Sequence, residues 1–406
     1  MSEQYDILII GGGMVGASLA HALSGHGYEI GVVEAWPLSS TSQPSYDDRV
    51  IALSWGSRLI LDAMGVWGDI ESVAQPILDI HISDRGHFGF TRLNHRQEGV
   101  DALGYVVTAR ALGNVLLKQL DQRQDVQLIC PAQLKSFNVS DNSVEVKLEQ
   151  DGAESHVKSR LLVAADGGDS LVRRFLSIPL KEKSYGQTAI IANLSSEHGH
   201  QSVAYERFTD TGPLALLPMT DERLSMVWTA EDHQVADLIG VSDCAFLDRL
   251  QDRFGYRLGR LQQLGKRVAY PLRLSQAIEQ VRPRVALIGN AAHAIHPVTG
   301  QGFNLGLRDV AGLADLLVEG SNKGRDPGDL ELLNEYRNWR ELDQNRVAAI
   351  TDSLARLFAN PFRPLRIMRN LGLVGLDLMP GLKHQVARQF MGLNGRLSKL
   401  ARGVSL

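Results

Sequence analysis

The chain has 406 residues, of which 44% are hydrophobic and 22% charged, and its formal net charge is -4 at pH 7. These values are ordinary for a globular protein with a large core, and they give no reason to expect nucleic acid as a partner. Cys130 and Cys244 are too few and too distant to predict a disulfide framework or a paired-cysteine metal site. Neither a long apolar span nor a basic leader with a cleavage site is visible, so a cytoplasmic location is expected.

The first residues predict a dinucleotide site. Ile7 to Ile10 is a short apolar run, typical of a strand that is buried on both faces of a parallel sheet. It leads into Gly11-x-Gly13-x-x-Gly16, whose glycines allow a tight turn, close approach of the backbone to a pyrophosphate, and close packing of the next helix. The unpaired N–H groups at the start of that helix suit a diphosphate.

A second predicted strand, Glu29 to Val33, ends in an acidic residue. Glu34 follows Gly16 by 18 residues, close to the roughly 20-residue offset of the acid that binds ribose hydroxyls. An acid at that position favours a free 2′-hydroxyl, so FAD or NAD is expected there rather than NADP. The Ser/Pro-rich segment 37–48 follows, and its composition does not distinguish a cofactor cover from a surface loop.

Two further strand–turn–helix junctions are predicted. Leu161 to Ala165 runs into Asp166-Gly167-Gly168-Asp169-Ser170, and Val285 to Ile288 runs into a glycine-rich loop that starts at Gly289-Asn290. A helix is predicted to begin near Asn304, and the helical pattern extends to about Leu354.

The remaining segments follow different patterns. Residues 77–90 predict a β-hairpin around Asp84-Arg85-Gly86-His87, and alternating residues from Ala189 to Val227 predict antiparallel strands in a separate layer. On this pattern Glu206-Arg207 is expected to be half solvated, and Tyr205 and Phe208 are expected in the core. The tail after Leu357 mixes apolar and basic residues, which fits a membrane surface, packing on the domain or a subunit interface.

The three motifs, in this order, resemble those of the FAD-dependent aromatic hydroxylases of the para-hydroxybenzoate hydroxylase fold. Within that family the chain is most similar to the ubiquinone-biosynthesis group, and there to the 2-polyprenyl-6-methoxyphenol hydroxylases. The segments that carry this finer similarity are Arg49-Val-Ile-Ala-Leu53, Ser83-Asp-Arg-Gly-His87, Tyr205-Glu-Arg-Phe208 and Gly212-Pro-Leu-Ala-Leu-Leu-Pro218. The similarity extends over nearly the whole chain.

The resemblance implies an α/β fold (α+β overall): a Rossmann-like FAD-binding domain with a parallel sheet, an antiparallel-sheet substrate domain and a helical C-terminal region. The expected bounds are 1–75, 100–180 and 275–350 for the discontinuous FAD-binding domain. Residues 76–99 and 181–274 are expected in the substrate domain, and residues 351–406 in the helical region.

The resemblance also assigns candidate site residues. Asn290 stands where the family usually has an aspartate, so it offers an amide oxygen to a ribityl hydroxyl without the help of charge. Pro297 is expected beside the reactive face of the flavin. From its place next to Pro297 rather than from the resemblance, His296 is expected to touch substrate or relay a proton, or else to be structural. No metal site is expected. The implied cofactor-binding residues are Gly11, Gly13, Met14, Val15, Gly16, Glu34, Ala35, Arg49, Arg110, Asp166, Gly167, Gly289, Asn290, Gly300, Gly302, Phe303 and Asn304.

The implied reaction uses bound FAD with NAD(P)H and O2 as cosubstrates. NAD(P)H reduces the flavin, dioxygen adds at C4a, and the hydroperoxide transfers one oxygen atom to a phenol ring. The implied substrate is a lipophilic 2-polyprenyl-6-methoxyphenol, and the product is the corresponding 1,4-benzoquinol. Other ubiquinone-biosynthesis proteins and the inner face of a membrane are possible partners.

Three alternatives stay open at this stage. The first is the same chemistry at another ring position or on another phenol. The second is a flavin-dependent reductase of the geranylgeranyl-reductase kind, and the third is a flavin-binding subunit without activity of its own.

Overall fold

The computed structural model describes residues 3–37, 49–295, 300–359 and 362–406. Its strands are β1 (Glu3–Ile10), β2 (Ile30–Val33), β3 (Val50–Ser54), β4 (Gln75–Ile77), β5 (Asp79–Asp84), β6 (Phe90–Asn94), β7 (Gly104–Thr108), β8 (Val126–Ile129), β9 (Gln133–Val139), β10 (Val144–Gln150), β11 (Ala153–Ala164), β12 (Leu180–Ser196), β13 (Val203–Thr209), β14 (Gly212–Pro218), β15 (Leu224–Glu231), β16 (Leu261–Gln262), β17 (Val268–Ala277), β18 (Val281–Arg282), β19 (Val285–Leu287) and β20 (His293–Ala294).

The α-helices of the described residues lie between and after these strands. They are α1 (Met14–Leu23), α2 (Trp55–Ala63), α3 (Trp67–Glu71), α4 (His95–Glu98), α5 (Ala109–Leu120), α6 (Leu171–Phe175), α7 (Asp232–Gly240), α8 (Asp243–Phe254), α9 (Gln301–Asn322), α10 (Leu330–Ala359), α11 (Arg363–Leu378) and α12 (Pro380–Phe390).

An eight-stranded sheet forms the first layer, in the order β18-β19-β11-β1-β2-β8, with β10 and β9 added beside β11. Its central strands β19, β11, β1, β2 and β8 are parallel. Ile7, Leu8 and Ile9 of β1 are fully buried because helices cover one face of this sheet and β9 and β10 fold over the other. Parallel strands with both faces covered explain the unbroken apolar pattern of β1.

A nine-stranded sheet forms the second layer, in the order β20-β17-β12-β15-β14-β13-β5-β6, with β16 beside β12. Its neighbours are antiparallel except for the parallel pair β13 and β5. The predicted hairpin is confirmed, since β5 and β6 pair with Asp79 opposite Asn94. The combination of a parallel layer, an antiparallel layer and a helical C-terminal region is therefore confirmed, whereas the exact domain bounds stay a prediction.

The helical segment predicted from Asn304 to about Leu354 is two helices rather than one. After α9 the chain turns at Gly324, which has φ +69, and the Arg325 N–H donates to the Gly320 carbonyl. Glycine adopts that left-handed conformation without the steric penalty of a Cβ atom, so the chain reverses there and α10 packs back on α9. This reversal sends α10, α11 and α12 across the second sheet. No helix among the described residues is long and apolar enough to cross a membrane.

Candidate functional site

The three predicted junctions meet at one edge of the first sheet. β1, β11 and β19 are parallel neighbours, so the loops that follow them leave the sheet side by side. Backbone hydrogen bonds hold these loops in line: Ala165 N–H donates to the Ile10 carbonyl at 2.8 Å, and Ile288 N–H donates to the Ala164 carbonyl at 3.0 Å. Ligands of open parallel sheets bind at this carboxyl edge.

Two glycines of the first loop have no room for a side chain. Gly11 has φ +105, and a Cβ there would lie 2.5 Å from the Ala165 carbonyl oxygen. A Cβ on Gly16 would lie 1.9 Å from the Gly11 carbonyl oxygen. Gly16 therefore keeps α1 close to β1, which aims the N-terminus of α1 at the loop. That terminus begins after Gly13 without a side-chain cap, so its N–H groups suit an anionic ligand.

Glu34 lies at the end of β2 and is buried. Its carboxylate accepts hydrogen bonds from the N–H groups of Gly12 and Trp36, each at 2.9 Å. Burial raises the pKa of Glu34, and these two backbone donors partly offset that effect. Because a carboxylate has about four acceptor positions, it can still accept hydrogen bonds from ribose hydroxyls.

Asp166 lies in the second loop, and one of its carboxylate oxygens caps α6. That oxygen accepts from the N–H groups of Leu171, at 2.7 Å, and Val172, at 3.2 Å. The other oxygen is buried and has no hydrogen-bond partner among the described residues, and burial raises the pKa of the group. An unpaired buried oxygen beside a cavity fits a ligand that brings a hydroxyl or N–H donor.

Asn304, in the first turn of α9, is engaged within the protein. Its side-chain oxygen accepts from Ser54 N–H at 2.8 Å and Ser57 Oγ at 2.7 Å, and its amide donates to the carbonyls of Ala52 and Gly300, both at 2.8 Å. The Asn304 side chain thus ties α9 to β3 and α2. Among the described residues no side chain caps the start of α9, so its backbone N–H groups suit a ligand.

Asp309, one turn further along α9, holds the third loop through hydrogen bonds with Gly289 and His293. Its fully buried carboxylate accepts from His293 Nε2 at 2.5 Å, Arg340 Nε at 2.9 Å, Gln344 Nε2 at 3.0 Å and Gly289 N–H at 3.3 Å. His293 and Arg340 hold the pKa of Asp309 well below its usual range. The His293 side chain is thereby committed to a carboxylate.

A cavity of about 1440 Å³ joins the three loops to the inner face of the second sheet. The predicted residues that line it are Gly11, Gly13, Met14, Val15, Glu34, Ala35, Arg49, Asp166, Gly167, Gly289, Asn290, Gly300, Gly302, Phe303 and Asn304. Gly16 lies behind the loop in α1. Arg110 is half-buried in the first turn of α5 and is absent from the described lining. His296 and Pro297 lie outside the described residues.

The part of the cavity away from the three loops is apolar. The residues that line it are not predicted as site residues from the sequence. Strands β5, β13, β14, β15 and β17 form one wall, and α10, α11 and α12 form the other. Phe208, expected in the core, is buried and lines this space, whereas the Tyr205 ring packs against Phe254 on the other face of the sheet. Glu206, expected to be half solvated, is partly exposed and lines the cavity. The period-two pattern Ala204, Glu206, Phe208 is the signal that identifies these three as neighbours on one face.

Together these features fit FAD better than a smaller cofactor. The start of α1 and the first loop suit its diphosphate, Glu34 suits the ribose, and the loops at Asp166 and Gly289 line the same cavity. When bound, FAD supplies redox chemistry that no side chain can provide.

Comparisons with known proteins agree with this geometry. A family model described as "FAD binding domain" matches residues 4–350. The chain is 38% identical to "Ubiquinone hydroxylase UbiL" of Rhodospirillum rubrum, covering 99% of this chain and 93% of the relative. It is 32% identical to "3-demethoxyubiquinol 3-hydroxylase" of Escherichia coli, covering 97% and 100%, and 31% identical to human "Ubiquinone biosynthesis monooxygenase COQ6, mitochondrial", covering 94% and 91%.

Solved structures share the fold at low sequence identity. The p-nitrophenol 4-monooxygenase PnpA of Pseudomonas putida aligns with a TM-score of 0.80 at 20% identity, covering 98% of this chain and 100% of that one. PqsL of Pseudomonas aeruginosa aligns with a TM-score of 0.77 at 21% identity, covering 92% and 100%. The likeness covers both sheets and the helical region.

Proposed function

The chain belongs to the family of FAD-dependent monooxygenases that includes the ubiquinone hydroxylases, and from this membership we propose that it hydroxylates the ring of a polyprenylated phenol. The proposed substrate is 2-polyprenyl-6-methoxyphenol, which becomes 2-polyprenyl-6-methoxy-1,4-benzoquinol. NAD(P)H and O2 are the proposed cosubstrates, and ubiquinone is the proposed end product of the route.

The observation that carries this proposal is the continuity of the cavity. One space of about 1440 Å³ runs from the three glycine-rich loops to a chamber walled by apolar side chains of the second sheet and the C-terminal helices. Such a volume exceeds the roughly 300–1,000 Å³ of ordinary ligand pockets, as expected for a site that holds a dinucleotide and a lipophilic ring together.

Different residues are proposed to bind the cofactor and the substrate. We assign the first loop, Glu34 and Asp166 to holding FAD, and the start of α9 to the edge of its ring. Bound FAD, reduced by NAD(P)H, supplies the activation of dioxygen. The apolar walls exclude water from the reacting ring and orient the prenylated phenol by burying its hydrocarbon part.

A second candidate is hydroxylation at another ring position. The specific observation in its favour is the Escherichia coli relative, which is named for hydroxylation at position 3 and matches the chain over nearly its whole length. Both candidates require the same cofactor and the same apolar chamber, so they differ in how the ring is oriented.

Two experiments test this function. Cells that lack the protein are grown with oxygen, and their prenylated quinone intermediates are identified by mass spectrometry. Accumulation of the 6-methoxyphenol species is expected, whereas accumulation of a demethoxy species would favour the second candidate and a normal profile would contradict both. Incorporation of labelled oxygen into product by the purified holoenzyme separates a hydroxylase from a flavin-dependent reductase or a subunit without activity.

We further propose that the outer face of α11 and α12 contacts a lipid surface. Large apolar side chains are exposed there: Ile367, Met368, Leu371, Leu378, Met379 and Leu382. Several basic residues of the same segment are already paired, Arg369 with Asp84, Lys383 with Asp377 and His384 with Glu98. The proposed contact is therefore mainly apolar, and the inner face of the same helices lines the cavity that a lipid-borne substrate must reach.

A further inference from the structure

We propose that Glu206 is the catalytic base that binds the substrate's phenolic hydroxyl and accepts its proton. This inference rests on the proposed function and names the residue that would perform the proton transfer. It arises from the position of one carboxyl group in an otherwise apolar wall of the cavity.

The sheet register places Glu206 in that wall. On β13, Glu206 lies two residues from Ala204 and two from Phe208, so the three share one face of the strand, and all three line the cavity. Its partners on the adjacent strands are Ile82 of β5 and Ala215 of β14, and both also line the cavity. Because side chains of paired residues project on the same face, the carboxyl is flanked by hydrocarbon on both sides.

The opposite wall is apolar as well. It is formed by α10 and α11 through Ile350, Leu354, Leu373 and Leu376. Phe208 and Leu373 pack together at the edge of this wall, with Ile82 and Leu354 against them. The Glu206 side chain is therefore enclosed by protein except where it faces the cavity.

Other titratable groups line the same cavity from different elements. They are Glu34, Arg49, Asp166, Asp169, Tyr205, Tyr270 and Arg273. Arg49 lies with its guanidinium 4.8 Å from the centre of the Tyr270 ring, and Glu34 and Asp166 belong to the cofactor loops. Arg207, the next residue on β13, projects from the other face of the sheet. Its guanidinium interacts electrostatically with Arg257, Arg85 and Asp84.

Within the described parts of the chain, the Glu206 carboxyl has neither a hydrogen-bond donor nor an ion-pair partner. Burial alone raises its pKa to about 7. A carboxyl with that pKa is divided between its acid and base forms near neutral pH, which is the condition that suits a general base. An isolated carboxyl in an apolar wall costs folding free energy, so a ligand that donates a hydrogen bond would complete its environment.

The chemistry of a phenol supplies that donor. The phenolic O–H bond breaks, its proton passes to a carboxylate oxygen of Glu206, and the electron pair remains on the phenolic oxygen. Delocalisation of this pair makes the ring carbons more nucleophilic at the moment when one of them takes up oxygen. As the ring regains aromaticity, the C–H proton of the hydroxylated carbon passes to water. The carboxylic acid returns its proton to the phenolic oxygen, so Glu206 ends the cycle ionised.

The test compares three variants of the purified holoenzyme on a short-chain 2-methoxy-6-prenylphenol. Glu206→Gln keeps the shape but cannot accept a proton, Glu206→Asp keeps a carboxyl, and Glu182→Gln removes an exposed carboxyl of β12 as the control. We expect Glu206→Gln to lower kcat by about a hundredfold with normal flavin content, because general base catalysis contributes roughly 10²–10⁴-fold. Glu206→Asp is expected to recover part of this loss, and Glu182→Gln to behave as wild type.

The dependence of kcat on pH separates a catalytic role of Glu206 from a structural one, because loss of a structural contact would not change the shape of this profile. In the wild type, kcat should rise with pH through an apparent pKa near 7, because only the ionised carboxylate accepts the proton. Glu206→Gln should lack this rise. If the variant keeps both the rise and a kcat within about twofold of wild type, Glu206 is not the base.

A binding measurement tests the same inference without turnover. Titrated into wild-type holoenzyme, the phenol should bind about tenfold more tightly than its methyl ether above pH 7, and this preference should shrink below pH 6 as Glu206 is protonated. Equal affinity for the two ligands at every pH would overturn the inference. If the wild type hydroxylates no phenol at all, the proposed function fails, and the titration still decides whether Glu206 recognises a phenolic hydroxyl.

Discussion

Two carboxyl groups, one buried behind the cofactor loops and one in the wall of the substrate chamber, lie in opposite environments. Behind the cofactor loops, Asp309 receives four donors, and their charge and hydrogen bonds lower its pKa. At the substrate end, Glu206 has no partner among the described residues, and burial raises its pKa. Both side chains lie on regular elements, α9 and β13. The protein satisfies one carboxylate completely and leaves the other for a ligand.

This difference indicates how each end works. At the cofactor end, backbone groups and buried ion pairs fix the described parts of the loops, while one carboxylate oxygen of Asp166 is left for a ligand. The substrate end is made of apolar side chains and one carboxyl, so its recognition of a polar group depends on what enters. Four measurements can break or sharpen this contrast.

The largest expected effect is on the first glycine loop. In Gly16→Val even the Cβ atom would lie 1.9 Å from the Gly11 carbonyl oxygen, so α1 must move away from the loop. We expect the purified variant to lack bound flavin, as judged by its visible absorbance. The control is Gly68→Ala, since a Cβ at Gly68 meets nothing within 4 Å. A yellow Gly16→Val protein with normal flavin content would show that this loop does not hold the cofactor.

The next largest effect is expected on the free energy of unfolding when Asp309, the buried carboxylate behind the cofactor loops, is replaced. Asp309→Asn removes the charge that pairs with Arg340 Nε, although Arg340 keeps its ion pair with Asp343. Loss of one member of a buried ion pair costs about 3–5 kcal/mol. Urea denaturation at pH 7 should show this decrease in the free energy of unfolding. Because the folded pKa of Asp309 lies below the unfolded value, its stabilisation is present above pH ~4 and is lost as pH falls further.

Glu319→Gln is the matched control for that measurement. Glu319 lies on the same helix and pairs with Lys323 at the surface, so its loss should cost only about 0.3–0.5 kcal/mol. If Asp309→Asn were no more destabilising than Glu319→Gln, the Asp309 network would not be what fixes the third loop.

At the substrate end the expected change in stability has the opposite sign. The folded pKa of Glu206, about 7, lies above the ordinary value, so the folded state holds the proton more tightly and stability falls as pH rises to 7. Glu206→Gln removes this cost and should gain about 1–3 kcal/mol at pH 8, with little gain near pH 4. Denaturation of flavin-loaded protein at both pH values measures it. A loss of stability at pH 8 would mean that Glu206 has a stabilising partner.

The smallest effect on stability is expected at the outer face of the C-terminal helices. Met368 and Leu371 are 67% and 57% exposed, so the double substitution to serine should change stability by less than about 0.5 kcal/mol per site. Binding to vesicles of phosphatidylcholine and phosphatidylglycerol should nevertheless weaken about thirtyfold, since each of the two apolar side chains contributes on the order of 1 kcal/mol on insertion.

Tyr256→Ser is the control, because Tyr256 is 72% exposed and lies outside these helices. Unchanged vesicle binding by the Met368 and Leu371 variant would remove the lipid contact from this face. Point substitutions are preferable to truncation after residue 360, because truncation would also delete the inner faces of α11 and α12 that wall the cavity.

The sequence by itself determined the parts of this protein that depend on neighbours along the chain. Gly11, Gly16 and Glu34 lie within one β-α-β unit, so their spacing already fixes the turn, the helix packing and the acid at the strand end. The apolar runs of β1, β11 and β19 likewise predict strands that are covered on both faces. These features predicted the parallel sheet and a dinucleotide site, and the resemblance of the three motifs to a known family implied an FAD-dependent hydroxylase.

Only the tertiary structure decided what surrounds each polar side chain. Asp309 receives donors from residues up to 35 positions away. The side chain of Asn304, an implied cofactor-binding residue, connects α9 to a segment some 250 positions earlier. Glu206 becomes a cavity residue because strand register sets it between Ile82 and Ala215 and because α10 and α11 cross over it. Burial and hydrogen bonding depend on groups that are distant in sequence, and those contacts exist only once the layers have packed together.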